Sequence, residues 1–166
     1  AASVSAPLDL PAASEVLHAP ANRLYHDYLL RALKRDYLNP HSSLTAAERA
    51  AVAGARTLFE VDDRFTAPHH GFGRAVDYYR AVSALPRLAA ITRPTALLHG
   101  VNDPFIPPDP YHRVRGAAVT VGLAAGGGHL GFHDRRGLWH LRQCSRFLAH
   151  LGLAAEDLPA VAAMCS

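Results

Sequence analysis

A chain of 166 residues, 49% apolar and 19% charged, is long enough to bury one core and too apolar for a disordered tail. Its net charge of +3 comes from arginines scattered from Arg23 to Arg146, with only Lys34-Arg35 and Arg135-Arg136 adjacent, which argues against the clustered basic face of a nucleic-acid-binding module. No run approaches the roughly 18 consecutive apolar residues that span a bilayer, and the first residues lack the pattern of a signal peptide, so a cytoplasmic protein without a membrane span is expected.

Ala1 to Ala6 reads as the end of a small-residue strand, stopped by Pro7. Asp9 is placed to cap a short helix through Leu17, with Pro11 in its first turn. Asn22 to Tyr37 is the strongest helical pattern. Leu24, Tyr28, Leu29 and Leu33 form its expected apolar stripe, and Asn22 its expected cap. Thr45-Ala46-Ala47-Glu48 is a capping box opening a helix to about Ala55. The acid-rich stretch from Phe59, running into Thr66-Ala67-Pro68-His69-His70-Gly71-Phe72, reads as a loop. A helix follows over Gly73 to Ser83, then a short helical link over Leu85 to Ile91.

Thr95-Ala96-Leu97-Leu98-His99 is continuously apolar, as a strand buried on both faces must be, and Ala117 to Leu123 is the next strand. Arg136 to Leu151 is an amphipathic helix with Leu138, Leu141, Phe147 and Leu148 on one side; one more short helix is expected before Ser166. Strands alternating with helices predict an α/β fold with a parallel sheet. Such a small sheet leaves an open edge beside its first strand, a place for self-association. Cys144 and Cys165 form no CxxC or zinc pattern and are expected as free thiols.

Asp103 lies in Gly100-Val101-Asn102-Asp103-Pro104-Phe105, just past the buried strand. His129 lies in Gly126-Gly127-Gly128-His129, after the next strand. A turn at the end of a buried strand can aim a carboxylate at one fixed spot, and glycines let a histidine loop turn sharply towards a cleft. Taken singly, an Asx turn and a surface histidine explain the two residues equally well. Acid before base is nevertheless the order found in Ser…Asp…His hydrolases of the α/β type. The nucleophile is not evident. The 166 residues hold no Gly-x-Ser-x-Gly elbow, and Ser3 and Ser5 lack the flanking glycines that a strained strand-to-helix turn needs.

Several segments resemble the YheT-type α/β-hydrolases, the bacterial branch of a family that includes eukaryotic lipid esterases of the ABHD kind. They are Phe59-Glu60-Val61-Asp62-Asp63-Arg64-Phe65-Thr66-Ala67-Pro68, Gly71-Phe72, Asp77-Tyr78-Tyr79 and Ser83-Ala84-Leu85-Pro86. Asn22-Arg23-Leu24-Tyr25 with Leu33-Lys34-Arg35 is similar to the family's cap helix. Asn102-Asp103-Pro104-Phe105 and Gly127-Gly128-His129-Leu130-Gly131-Phe132 are similar to its acid and histidine motifs. The resemblance covers about residues 3 to 150.

It implies hydrolysis of a carboxylic ester or lipid-like substrate by a Ser-His-Asp mechanism, with Asp103 and His129 present and no cofactor. It also implies that this is the C-terminal part of the fold, with serine elbow and oxyanion hole upstream of residue 1. The expected division is then a partial hydrolase domain over 1–151 and a tail over 152–166. Within that domain a cap-type helical segment spans about 9–90, the strand and loop elements about 94–134, and the final helix about 136–151. The alternatives are a catalytically silent remnant, one half of a split enzyme completed by an N-terminal half, and, outside hydrolases, a basic nucleic-acid-binding module.

Other constellations carry less. His129 and His133 have the spacing of two zinc ligands, with Asp134 as the nearest third, but the glycines before His129 speak against a helix, so no metal is expected. His69-His70 reads as structural or as part of a substrate-facing loop. Asp62 and Asp63 are expected to anchor their segment through backbone or Arg64. Gly126 to Gly128 lacks the Lys-Ser/Thr of a phosphate-binding loop. Phe72, Tyr78 and Tyr79 are expected to pack the cap, with an acyl pocket as a second role. Substrate-binding residues are not legible.

Overall fold

The computed structural model describes residues 1–152. The chain divides into two compact units: a helical one of Pro7–Leu85 and Pro104–Pro107, and a sheet-based one of Ala1–Ala6, Pro86–Asp103 and the chain from Pro108 onwards.

The sheet unit begins with β1 (Ala2–Val4). In the helical unit, α1 (Leu10–Leu17) starts where Asp9 accepts the Ala12 N–H at 3.2 Å and Pro11 occupies the first turn. A 3-10 turn, Pro20–Asn22, leads into α2 (Arg23–Tyr37). Asn22 is not its side-chain cap. The amide instead donates to the carbonyls of Val16 (2.9 Å) and Pro104 (2.7 Å). The expected stripe faces the core only in part: Leu24 is 86% and Tyr28 62% exposed, whereas Leu33 packs against the core and His26 and Leu30 are buried. Helical spacing defines a face without saying which face is covered, and here the covered one includes a histidine.

The capping box forms as expected and opens α3 (Ala46–Gly54): Thr45 Oγ1 accepts the Glu48 N–H, and Glu48 Oε2 accepts the Thr45 N–H at 2.8 Å. Val52 and Ala55 then join Leu30, Val61 and Phe65 in the core of this unit, with Leu33, Tyr37 and Leu58 packed against them.

The segment expected as a loop is helical. It runs through α4 (Leu58–Val61), a π-helical stretch (Asp62–Thr66) and α5 (Ala67–His69). Its first amides find acceptors, as a helix start requires. Thr57 takes the Glu60 N–H, but His26 Nε2 takes that of Leu58 (3.1 Å) and His18 Nε2 that of Phe59 (3.3 Å). Two of the three acceptors come from elsewhere in the chain, His26 from α2 and His18 from just past α1, so local sequence does not announce them.

α6 (Ala75–Val82) starts where Asp63 accepts the Ala75 N–H at 2.8 Å and the Arg74 guanidinium at 3.0 Å. Arg64 pairs with Glu60 instead (3.2 Å). Asp62 accepts the Tyr79 hydroxyl. Burial, then that carboxylate, pushes the Tyr79 phenol well above its ordinary range. A 3-10 stretch, Leu85–Ala90, follows.

The sheet unit continues with β2 (Thr95–Gly100), α7 (Asp109–His112) and β3 (Val119–Ala124). A two-stranded hairpin, β4 (His133–Asp134) and β5 (Gly137–Leu138), comes next, and α8 (Trp139–His150) closes the described chain. The three-stranded sheet has order β1-β2-β3 and is parallel throughout, with Ala2 opposite Ala96 and Thr95 opposite Val119. All six residues of β2 are buried, as its unbroken apolar run predicts. The outer edge of β1 has no strand partner among the described residues. The sequence pattern announces neither α7 nor this hairpin; the hairpin takes Leu138 out of the predicted helix, which starts at Trp139 rather than Arg136. Cys144 is half-buried in α8, and desolvation raises its thiol pKa. Cys165 and the expected last helix lie outside the described residues. No helix among those described is long and apolar enough to cross a membrane.

Candidate active site

β2 ends at Gly100, and the chain turns at once: the Asp103 N–H donates back to the Gly100 carbonyl at 3.1 Å. That turn delivers the Asp103 side chain, wholly buried, to the loop after β3. There His129 Nδ1 lies 2.8 Å from Asp103 Oδ2, while one third of the imidazole stays exposed. The two residues singled out in the sequence therefore meet directly.

Four further hydrogen bonds hold this region in register. Asn102 Oδ1 accepts the Gly128 N–H at 3.0 Å, lacing the acid turn to the histidine loop. The Gly131 N–H donates to the Gly127 carbonyl at 2.7 Å, closing the histidine loop on itself. Ser5 donates its hydroxyl to the carbonyl of His129, and its own N–H to the Leu98 carbonyl at 2.8 Å. Ser5 is buried and adopts φ +50, unusual for any residue but glycine, asparagine or aspartate. Its hydroxyl is spent on the backbone of His129 and not on the ring, which sets it apart from a nucleophile. Ser3 lies within β1, opposite Leu97.

The glycines have specific work here. Gly127 has φ +125, and a Cβ on it would lie 2.6 Å from Cδ1 of the buried Phe132. A Cβ on Gly100 would lie 2.8 Å from the Gly128 carbonyl oxygen, forcing the two loops apart.

A second imidazole stands beside the acid. His99, the penultimate residue of β2, is completely buried, with Nδ1 3.8 Å from Asp103 Oδ2. Its ring lies flat on Tyr111 of α7, at a centroid distance of 4.2 Å and an angle of 4°. The Tyr111 hydroxyl donates to the Ala6 carbonyl at 2.7 Å. Burial, reinforced by the nearby Asp103 charge, keeps that phenol protonated far above its ordinary range. Sequence reasoning missed Ser5 as a support, named Asn102 only as part of the acid motif, and gave no role to His99 or Tyr111. Only Asn102, adjacent to the acid, offers a local signal.

Chemically, an ionised Asp103 can accept the Nδ1–H of His129, which leaves Nε2 as the nitrogen that carries the lone pair. That is the arrangement of a general base oriented by a buried acid.

The remaining candidates disperse. His133 Nδ1 faces the Gly131 carbonyl at 3.2 Å, and Asp134 accepts the Arg136 N–H and the Arg142 guanidinium. Those bonds, that of Arg136 first, hold the Asp134 carboxyl below its usual range. No group of three or more His, Cys, Asp or Glu side chains among the described residues is placed to hold a metal. In the helical unit, His69 pairs with Glu48 at 3.2 Å and His70 stacks on Tyr78. Phe72 packs against Tyr78, and Tyr79 lines a cavity of about 430 Å³ together with His18, Phe59 and Arg80.

Comparison with known proteins gives a consistent neighbourhood. The chain is 36% identical to the Escherichia coli (strain K12) protein YheT over 134 residues, 78% of this chain and 39% of that one. It is 31% identical to the phospholipase ABHD3 of Homo sapiens over 136 residues, 77% of this chain and 32% of the relative. Similarity to a monoacylglycerol lipase of Saccharomyces cerevisiae is 34% over 97 residues, 56% and 22% of the two chains. The chain thus spans between about a fifth and two fifths of these relatives. No family model and no solved structure matches it significantly. Parallel strands joined through helices, a carboxylate and an imidazole at their loop ends, and these relatives lead to one assignment: the chain belongs to the YheT and ABHD type of α/β-hydrolases.

Proposed function

We propose that this chain supplies the acid and the base of a serine hydrolase acting on carboxylic esters. The observation that carries the reading is the 2.8 Å contact between a fully buried Asp103 and a partly exposed His129. A serine hydroxyl, borne by a Gly-x-Ser-x-Gly elbow that these 166 residues do not contain, attacks the ester carbonyl. His129 takes its proton at Nε2 and gives it to the departing alcohol, while Asp103 keeps the imidazole in the Nδ1–H tautomer and stabilises the imidazolium. In the second half, the same nitrogen takes a proton from water as it attacks the acyl-enzyme, and returns it to the serine. Backbone N–H groups accompanying the elbow hold the oxyanion.

The chemistry needs no cofactor. A lipid-like ester as substrate is supported by the names of the human and yeast relatives, a phospholipase and a monoacylglycerol lipase. The serine-bearing segment, joined or separate, extends the sheet at the outer edge of β1, the edge without a strand partner among the described residues.

The test is complementation. Co-expression with the part of Escherichia coli YheT that this chain does not cover should give hydrolysis of p-nitrophenyl acetate that disappears in His129→Ala. The 166-residue chain alone should give no more than its own His129→Ala variant. Complemented turnover indifferent to His129, or His129-dependent turnover by the chain alone, contradicts the reading.

A further inference from the structure

Two imidazole nitrogens stand near Asp103 Oδ2: His129 Nδ1 at 2.8 Å and His99 Nδ1 at 3.8 Å. The two rings are differently held. That of His129 is one-third exposed, on a glycine-rich loop. That of His99 is fully buried, on a strand hydrogen-bonded to both neighbours, with Tyr111 flat against it. Tyr111 is itself fixed by its hydroxyl to Ala6, just past the end of β1. A rigid line therefore runs from β1 through Tyr111 and His99 to the acid.

We propose that His99 is a positioning residue for the Asp103–His129 pair: it turns a protonated Nδ1 towards Asp103 Oδ2 and keeps the carboxylate from swinging away from His129. The electrostatics fix the tautomer. A lone pair on Nδ1 would face a buried carboxylate at 3.8 Å, where poor solvent screening makes the repulsion costly; an N–H facing it attracts. The separation is too long for a direct hydrogen bond, so His99 acts as an oriented dipole beside the oxygen that His129 uses. Groups facing the acid include His99 from β2, His129 from the loop after β3 and Tyr111 from α7, the last kept neutral. A carboxylate held by a second imidazole presents one orientation to the imidazole it must orient. The inference rests on the proposed role of Asp103 and His129 and extends it to a third side chain.

The experiment is ¹H–¹⁵N correlation of the histidine rings in the full 166-residue chain, near neutral pH. In the wild type, the ¹⁵N shifts should report His99 with Nδ1 protonated; a bare Nδ1 on His99 overturns the proposal outright. His99→Phe keeps a ring for Tyr111 to stack on and removes the N–H. It should fold and lose the single Nδ1–H form of His129 to a tautomer mixture. His99→Gln, which keeps a donor, should restore that form. A folded His99→Phe with an unchanged His129 tautomer also overturns the proposal, and if that variant does not fold the wild-type spectrum still decides. The underlying pair has its own control. If Asp103→Asn leaves the His129 tautomer untouched, the acid–base reading fails; if Asp103→Asn changes it and His99→Phe does not, only the role of His99 fails.

Discussion

Ser5 donates its hydroxyl to the backbone carbonyl of His129, across 124 residues of chain. One member stands just past the end of the first strand, the other in the loop after the last parallel strand, and the bond fixes the loop's main chain while Asp103 fixes its ring. The imidazole is thus located by two independent anchors. Ser5 adopts φ +50 to make its contact, so the local backbone is strained in its service.

That strain gives Ser5 a distinctive substitution pattern. Ser5→Ala loses one buried hydrogen bond and should cost about 1 kcal/mol, more if the His129 carbonyl finds no water. Ser5→Val should cost more than Ser5→Ala, because a β-branched residue at positive φ is a steric outlier. Urea unfolding of the two variants gives the order directly. Equal losses would mean that the backbone conformation contributes nothing.

Asp103→Asn is nearly isosteric and should leave the sheet unit folded. In the complemented hydrolase, kcat should fall by about 10⁴-fold, the scale expected when an amide holds the imidazole in the wrong tautomer. A loss of less than about tenfold, with unfolding unchanged, would argue that His129 works without its acid.

Gly127→Ala should destabilise the histidine loop without touching the side chain of Asp103 or of His129. Its Cβ would meet the Phe132 ring at 2.6 Å, and φ +125 disfavours any side chain there. Overpacking of this kind costs about 1–3 kcal/mol. Displaced Phe132 ring resonances and a lower Tm are expected, whereas Gly126→Ala, with open space around its Cβ, should be mild.

His26→Phe should destabilise the helical unit by about 1–3 kcal/mol, since the Leu58 N–H loses its acceptor at the start of α4. His26→Gln, which keeps an acceptor, should recover part of that loss in thermal unfolding. If His26→Gln proves the less stable of the two, ring packing against His18 outweighs the capping bond.

Acid should weaken the start of α6. The Ala75 N–H, then the Arg74 guanidinium, holds the Asp63 carboxyl below its usual value of 3.8. A carboxyl depressed in the folded state stabilises fully above its unfolded value and loses that contribution as pH falls through the folded one. Wild-type Tm should therefore drop more steeply than that of Asp63→Asn as pH is lowered below about 4. Parallel curves for the two proteins would remove Asp63 from the acid transition.

Where signals were local, the sequence was readable. The Asp9 cap, the Thr45–Glu48 capping box and the unbroken apolar run of β2 each announce themselves within a few residues, and each forms as read. Asp103 and His129 were legible as well, because a turn after a buried strand and a glycine-rich loop are short-range features. Tertiary structure decided what depends on partners distant in the chain. It turned Leu24 and Tyr28 of α2 outwards, because helical period does not specify which side meets the core. It made a helical run of Leu58–His69, because His18 and His26 reach its opening amides from elsewhere in the chain. It also brought His129 to Asp103 and Ser5 to His129, since parallel strands bring together the ends of segments roughly 25 to 125 residues apart, and no periodicity encodes that; His99 is only four residues from Asp103, but the Tyr111 ring that covers it comes from another element.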